Sequence, residues 1–274
     1  MESAAPLARL LLYSGATIAI GRGTLTFFDG DTSGSSRAVR GALWWGAFAL
    51  ILAPLLLLAL QQQALELAPA ELPGLLRDTS WGRGWLQLAI PCLLTALLLP
   101  VRITRTTSLL LLMAALGIAA AMGGLGHAAA DEQWPLASRL FDAMHVAGVG
   151  AWIGGLFLMV LARVGSGEPT DAAWRTFSRT ATVMAPVVLV SGVASAWRRV
   201  GASGPLDILA TDYGRLLLVK FTLTLVVLGL GAAQRTRLTV EKAPAPRAVL
   251  WEVLLAAMVL VATAWMTGLE PPGT

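Results

Sequence analysis

Long, uninterrupted apolar runs separated by short polar stretches dominate this chain. Eight of them lie near residues 7–28, 41–60, 84–101, 107–128, 138–162, 177–197, 214–234 and 247–268, close to the ~20 residues that carry a helix across a hydrocarbon core. The runs are continuous, without the ten-residue apolar/polar alternation of a membrane barrel strand, so the pattern predicts helices. The expected fold is all-α: a polytopic membrane protein of about eight transmembrane helices in one bundle, a single transmembrane domain over residues 1–274. The longest interruption, 61–83, is too short for a soluble domain and is expected to hold an interfacial helix around 61–76. The first run starts too close to Met1 for a signal n-region and reads as a retained helix.

Composition sharpens this picture. Of 274 residues 56% are hydrophobic and 13% charged, with a mean hydropathy of +0.71. Soluble domains carry about twice that charged fraction, which excludes a water-soluble enzyme. The lone Cys92 excludes a disulfide framework, a Cys-rich zinc site and CxxC redox chemistry. The two histidines, His127 and His145, limit imidazole-based metal chemistry to one small site. No Walker lysine motif, HExxH or convincing GxSxG elbow is present, so the chain is not expected to be an enzyme. The 20 basic residues are dispersed among 16 acidic ones, without the dense basic run of a nucleic-acid groove.

The basic residues also suggest an orientation. With the N-terminus outside the cytoplasm, the loops assigned to the cytoplasm hold eleven Lys and Arg and the outer segments hold seven. The positive-inside rule then favours periplasmic placement of both termini. The outer segments carry nine acids, Asp131 and Glu132 among them, and this slightly negative face favours arrival of cations within a Debye length.

Candidate chemistry concentrates where the fourth run ends and the fifth begins, both on that outer side. His127 closes the fourth run, and Met122 lies a little over one turn inside it. His145 lies about two turns inside the fifth run, roughly 10 Å deep. Asp142 precedes it at i−3, on the same helix face. An intramembrane imidazole needs a partner or a cavity. Imidazole with thioether suits copper, and a carboxylate near the mouth can recruit the ion or orient a ligand imidazole. The candidate metal ligands are therefore His127, His145, Asp142 and Met122. Bland alternatives stand beside each: a membrane methionine is usually packing, and Asp142 could simply reach water. Met144 neighbours His145 but points about 100° away. Gly148, Gly150, Gly154 and Gly155 read as close helix packing. Lys220 reads as snorkelling to headgroups. Trp81, Trp85, Trp134, Trp197 and Trp265 read as an interfacial belt.

The segment Phe141-Asp-Ala-Met-His-Val-Ala-Gly-Val-Gly-Ala-Trp-Ile-Gly-Gly-Leu156 resembles the D-x-x-H…W-x-G-G-L signature of the copper resistance protein D (CopD) family. Thr211-Asp-Tyr-Gly-Arg-Leu-Leu-Leu-Val-Lys220 is similar to that family's T-x-Y-G-R-x-L-x-x-K, and Arg175-Thr-Phe-Ser-Arg179 to its R-F-S helix start. Gly126-His127 also has a counterpart, and the motifs are strongest over residues 123–238. The resemblance implies a bacterial inner-membrane protein of copper homeostasis and resistance, moving copper from periplasm toward cytoplasm beside a periplasmic CopC-like copper-binding partner. His127, Asp142 and His145 match the family's polar positions, and the CopC-like partner is expected to be a separate protein. Two other readings use the same residues: a b-type haem protein passing electrons between its histidines, and a copper-chaperoning assembly factor without transport.

Overall fold

The computed structural model describes residues 4–29, 36–123, 134–165, 169–201, 204–239 and 245–272. Among them there are helices and no strands, as the continuous apolar runs require. Helices α1 (Ala4–Asp29), α2 (Arg37–Ala64), α4 (Ser80–Leu98) and α5 (Arg105–Met122) follow in order, with a short α3 (Leu72–Asp78) before α4. The fifth run is one continuous helical rod: α6 (Pro135–Val149), a π-helical turn (Gly150–Gly154) and α7 (Gly155–Val164). Then come α8 (Asp171–Val200), the short α9 (Pro205–Ala210), α10 (Asp212–Thr239) and α11 (Pro246–Met266).

Local chemistry sets several of these boundaries. Ser36, Thr79, Thr104 and Thr170 each accept the backbone N–H three residues ahead, capping α2, α4, α5 and α8. Gly201, at φ +61° and ψ −137°, ends α8 in a positive-φ conformation that suits glycine. The interfacial helix expected over 61–76 is instead split. α2 runs on through Gln61–Gln63 to Ala64, a 3-10 turn occupies Pro69–Glu71, and α3 follows. Pro69 and Pro73 each lack the N–H a continuous helix interior needs, which explains the break.

Seven described helices are long and apolar enough to cross a membrane, and α4 is not among them. Its first turns, Ser80-Trp-Gly-Arg83, dilute an otherwise apolar helix. Its packing is nonetheless that of a partner to α2 and α5. The Trp85 indole donates to the Pro54 carbonyl (2.8 Å), Leu99 just beyond the helix end meets Gly46, and Pro91 meets Gly117. As residue numbers rise on α4 they fall on α2, so the two run antiparallel.

α1 is the central helix and packs against α2, α5, α11 and the α6–α7 rod. Small residues allow the closest approach. A Cβ at Gly154 would stand 1.9 Å from the Thr17 carbonyl oxygen, and one at Gly21 2.3 Å from the Gly154 carbonyl carbon. The close packing expected of the fifth run's glycines is thus what the structure shows. Thr26 and Ser108 hydroxyls, 2.9 Å apart, join α1 to α5 in the buried interior. Around this core, α8 and α10 turn Val183, Val190, Val193, Leu218, Phe221 and Leu225 outward, apolar surface of the kind lipid accepts.

Candidate functional site: a polar cavity at one end of the bundle

A cavity of about 520 Å³ opens among the helix ends. It is lined by early residues of α1, α4, α6 and α10 (Arg9, Trp85, His145, Lys220) and late residues of α2, α5, α8 and α11 (Gln61, Met122, Arg199, Thr267). Starts and ends of helices therefore alternate around one opening. Among the described residues α4 runs between the same two ends of the bundle as the seven apolar spans, and both ends of the described chain lie on the cavity side.

His145 is held from one side. Its Nδ1 lies 3.0 Å from the Val188 carbonyl oxygen on α8, with Ser191 Oγ at 3.4 Å. A carbonyl can only accept, so Nδ1 carries the proton and donates. Nε2 is left with the ring's lone pair, on a side chain that lines the cavity. Metal-bound histidines commonly donate their other ring N–H to a carbonyl in this way, which fixes the tautomer and the ring orientation. Gly192 makes the fit possible, since a Cβ there would sit 3.0 Å from the imidazole Cε1.

Asp142 lines the same cavity, but its carboxylate is already engaged. Ser195 Oγ donates to Oδ1 at 2.8 Å, and Arg199 Nη2 donates to Oδ2 at 2.5 Å. Asp142 does not orient the imidazole; Val188 does. The charge-assisted pair ties α6 to α8 at a level where both side chains are about four-fifths covered. Met122, the last residue of α5, lines the cavity as well. His127, with the acidic pair Asp131 and Glu132, lies outside the described residues.

Several lining residues were not anticipated in these roles. Lys220 faces the cavity and does not simply snorkel to the surface. Arg9 and Arg199 join it, so among the described residues three basic side chains line the cavity with the one carboxylate of Asp142. Tyr13 donates to Thr267 Oγ1 at 3.2 Å. The buried Tyr213 hydroxyl is within electrostatic reach of Arg199 but outside hydrogen-bonding geometry. Trp81 and Trp85 line the cavity and leave the belt to Trp134, Trp197 and Trp265, which are exposed. The usable sequence signal was Asp142 itself: a carboxylate inside a span needs a cation, which Arg199 supplies from α8.

No group of three or more His, Cys, Asp or Glu side chains with metal-site spacing occurs among the described residues. A metal held here would rely on His145 with softer or neutral partners such as Met122.

A membrane-embedded all-α bundle with a histidine-bearing polar cavity at one end is the class of protein these features define. The model for the N-terminal domain of copper resistance protein D-like proteins matches residues 1–138, and that for copper resistance protein D matches residues 171–266. The chain belongs to the copper resistance protein D family, and a role in copper resistance and homeostasis follows from that membership. Neither a curated protein nor a solved structure matches it. Residues 139–170, most of the α6–α7 rod with Asp142 and His145, lie between the two matched segments, and the cavity draws residues from both.

Proposed function

We propose that this chain binds copper in the bacterial inner membrane and moves it from the periplasm toward the cytoplasm, acting as one transmembrane unit. The cavity end and both termini face the periplasm, where a CopC-like copper-binding protein delivers the ion. The observation that carries this reading is His145, with Nδ1 spent on the Val188 carbonyl and Nε2 left for a ligand in a cavity open at one end of the bundle. His145 is the primary ligand, Met122 supplies a thioether suited to the cuprous state, and His127 acts nearer the mouth. Asp142 contributes by holding Arg199 in place rather than as an exposed ligand. The protein is a carrier of its metal, not an enzyme acting on it.

Titration of detergent-purified protein with cuprous and cupric ions tests the site. His145→Ala is expected to abolish tight binding while the bundle stays helical, since alanine is well tolerated in helices. Wild-type affinity in that variant would show that the histidine only packs. Copper uptake into proteoliposomes tests movement, and a cysteine placed at Thr170 in a Cys92→Ala background tests orientation. Labelling of that cysteine only from the periplasmic side would invert the topology.

A further inference from the structure

A second cavity, of about 240 Å³, lies toward the opposite end of the bundle between the α6–α7 rod, α8, α10 and α11. Val149 lines the first cavity and Trp152, three residues further along the rod, lines the second, so about one helical turn separates them along this rod. The rod is π-helical there, with Gly150 packed on Ile20 of α1. π-Turns inside α-helices occur frequently at functional positions.

The second cavity holds Glu252 of α11, a residue only 3% exposed, whereas its neighbour Trp251 is 61% exposed. The helix thus turns its carboxyl inward and its indole outward. The Trp152 indole stands beside the carboxyl, with its Cζ2 and Glu252 Oε1 at 3.8 and 3.2 Å from the same Cβ position at Gly231. Gly231 of α10 leaves room for it, as a Cβ there would stand 3.2 Å from Glu252 Oε1.

Two of the other polar side chains around the cavity are committed elsewhere. From α10, Gln234 accepts the Ala245 N–H at 2.9 Å, and Arg235 donates to Thr182 of α8. Ser178 of α8 adds a hydroxyl. The rod adds only Trp152 and apolar Leu156, and the buried Arg22 of α1 is not part of the lining. Arg235 is therefore the one charged side chain that shares the cavity with Glu252 among the described residues, and no ion pair joins the two. Acidic side chains inside membrane bundles that face a cavity are functional positions by default, often in proton relays. One carboxyl with one indole donor offers a metal ion too few ligands. It offers a proton a complete site.

The geometry points to Glu252 as a reversible proton-binding site of the second cavity, with Trp152 as its hydrogen-bond partner. Binding adds one proton to a carboxylate oxygen, and release returns it to water reached through the cavity. No copper ion takes part, so this site stands or falls independently of His145.

Infrared difference spectroscopy of the full-length protein in lipid, stepped over about pH 4 to 9, reads the site directly. Wild-type protein is expected to gain and lose a buried-carboxyl C=O stretch with pH. Glu252→Gln, which keeps shape and an acceptor oxygen, should lack that band. Trp152→Phe should retain the band at a shifted frequency, because the indole donor is gone. An unchanged set of pH-dependent bands in Glu252→Gln would overturn the proposal, as would a Glu252 band that does not respond to pH. An unshifted band in Trp152→Phe would remove Trp152 as the partner. Copper titration of Glu252→Gln should match wild type, and loss of copper binding in that variant would overturn the independence of this site; wild-type copper affinity in His145→Ala, with the pH-dependent infrared band still present, would count against the copper reading alone.

Discussion

The central helices and the outer helices of this bundle obey different rules. Half of the membrane-crossing window of α1 is buried, against 11% in α8 and 6% in α10. At the centre, side-chain volume is the constraint: Gly21 and Gly154 meet the backbone of the opposing helix with no room for a methyl group. On the outside, apolarity is the constraint, and position matters little. The polar site lies at the seam, with Asp142 and His145 on the inner rod and Arg199, Lys220 and the Val188 carbonyl on the outer helices. Helix association in lipid gains nothing from the hydrophobic effect and rests on packing and polar contacts. The outer helices are thus held to the centre partly by the same groups that shape the cavity.

The contrast can be broken or sharpened by four substitutions. Gly154→Val should have the largest effect. Its Cβ would stand 1.9 Å from the Thr17 carbonyl oxygen, so α1 and the rod must separate; no monodisperse protein is expected by size-exclusion chromatography in mild detergent. Arg199→Ala should come next, leaving the Asp142 carboxylate with the Ser195 hydroxyl alone. The expected cost is on the order of 2 kcal/mol, less than for a fully buried pair, read as a lowered midpoint in thermal unfolding. Asp142→Asn keeps an acceptor for either donor but loses the charge, so it should cost about 1 kcal/mol. Copper affinity in that variant should fall by roughly 10–100-fold, as for losses around a metal ligand. Gly229→Ala should do nothing measurable, because a Cβ there meets open space on the lipid side. A Gly229→Ala protein as impaired as Gly154→Val would erase the distinction between inner and outer helices.

The fold was readable because membrane crossing is written in consecutive residues, and the runs near 7–28 and 247–268 lie within a few residues of α1 and α11. The segment 84–101 was found for the same reason, although its polar first turns leave α4 short of a fully apolar span. The interfacial stretch was misjudged because two prolines broke what its pattern of leucines suggested. Asp142, His145 and Met122 stood out as oddities in apolar surroundings, and they share one cavity. Their partners did not, because contact across 57 residues, as from Asp142 to Arg199, leaves no periodic trace. Arg199 looked like a loop charge since hydropathy fades near 197, whereas the helix continues to Val200. Glu252 was passed over inside its apolar run, although a lone acid there is the same kind of signal as Asp142.

The alternation of helix starts and ends around the first cavity carries an electrical consequence. Each helix presents a partial positive charge at its start and a partial negative charge at its end. Four starts and four ends meet at this opening, so their macrodipoles largely offset one another. The backbone therefore leaves the vestibule with little field of its own. Among the described residues the charged side chains that line it are Arg9, Arg199 and Lys220 against Asp142. A charge substitution at Arg9 or Lys220, outside the Asp142–Arg199 pair, should alter which ions the vestibule admits without loosening the tie between α6 and α8.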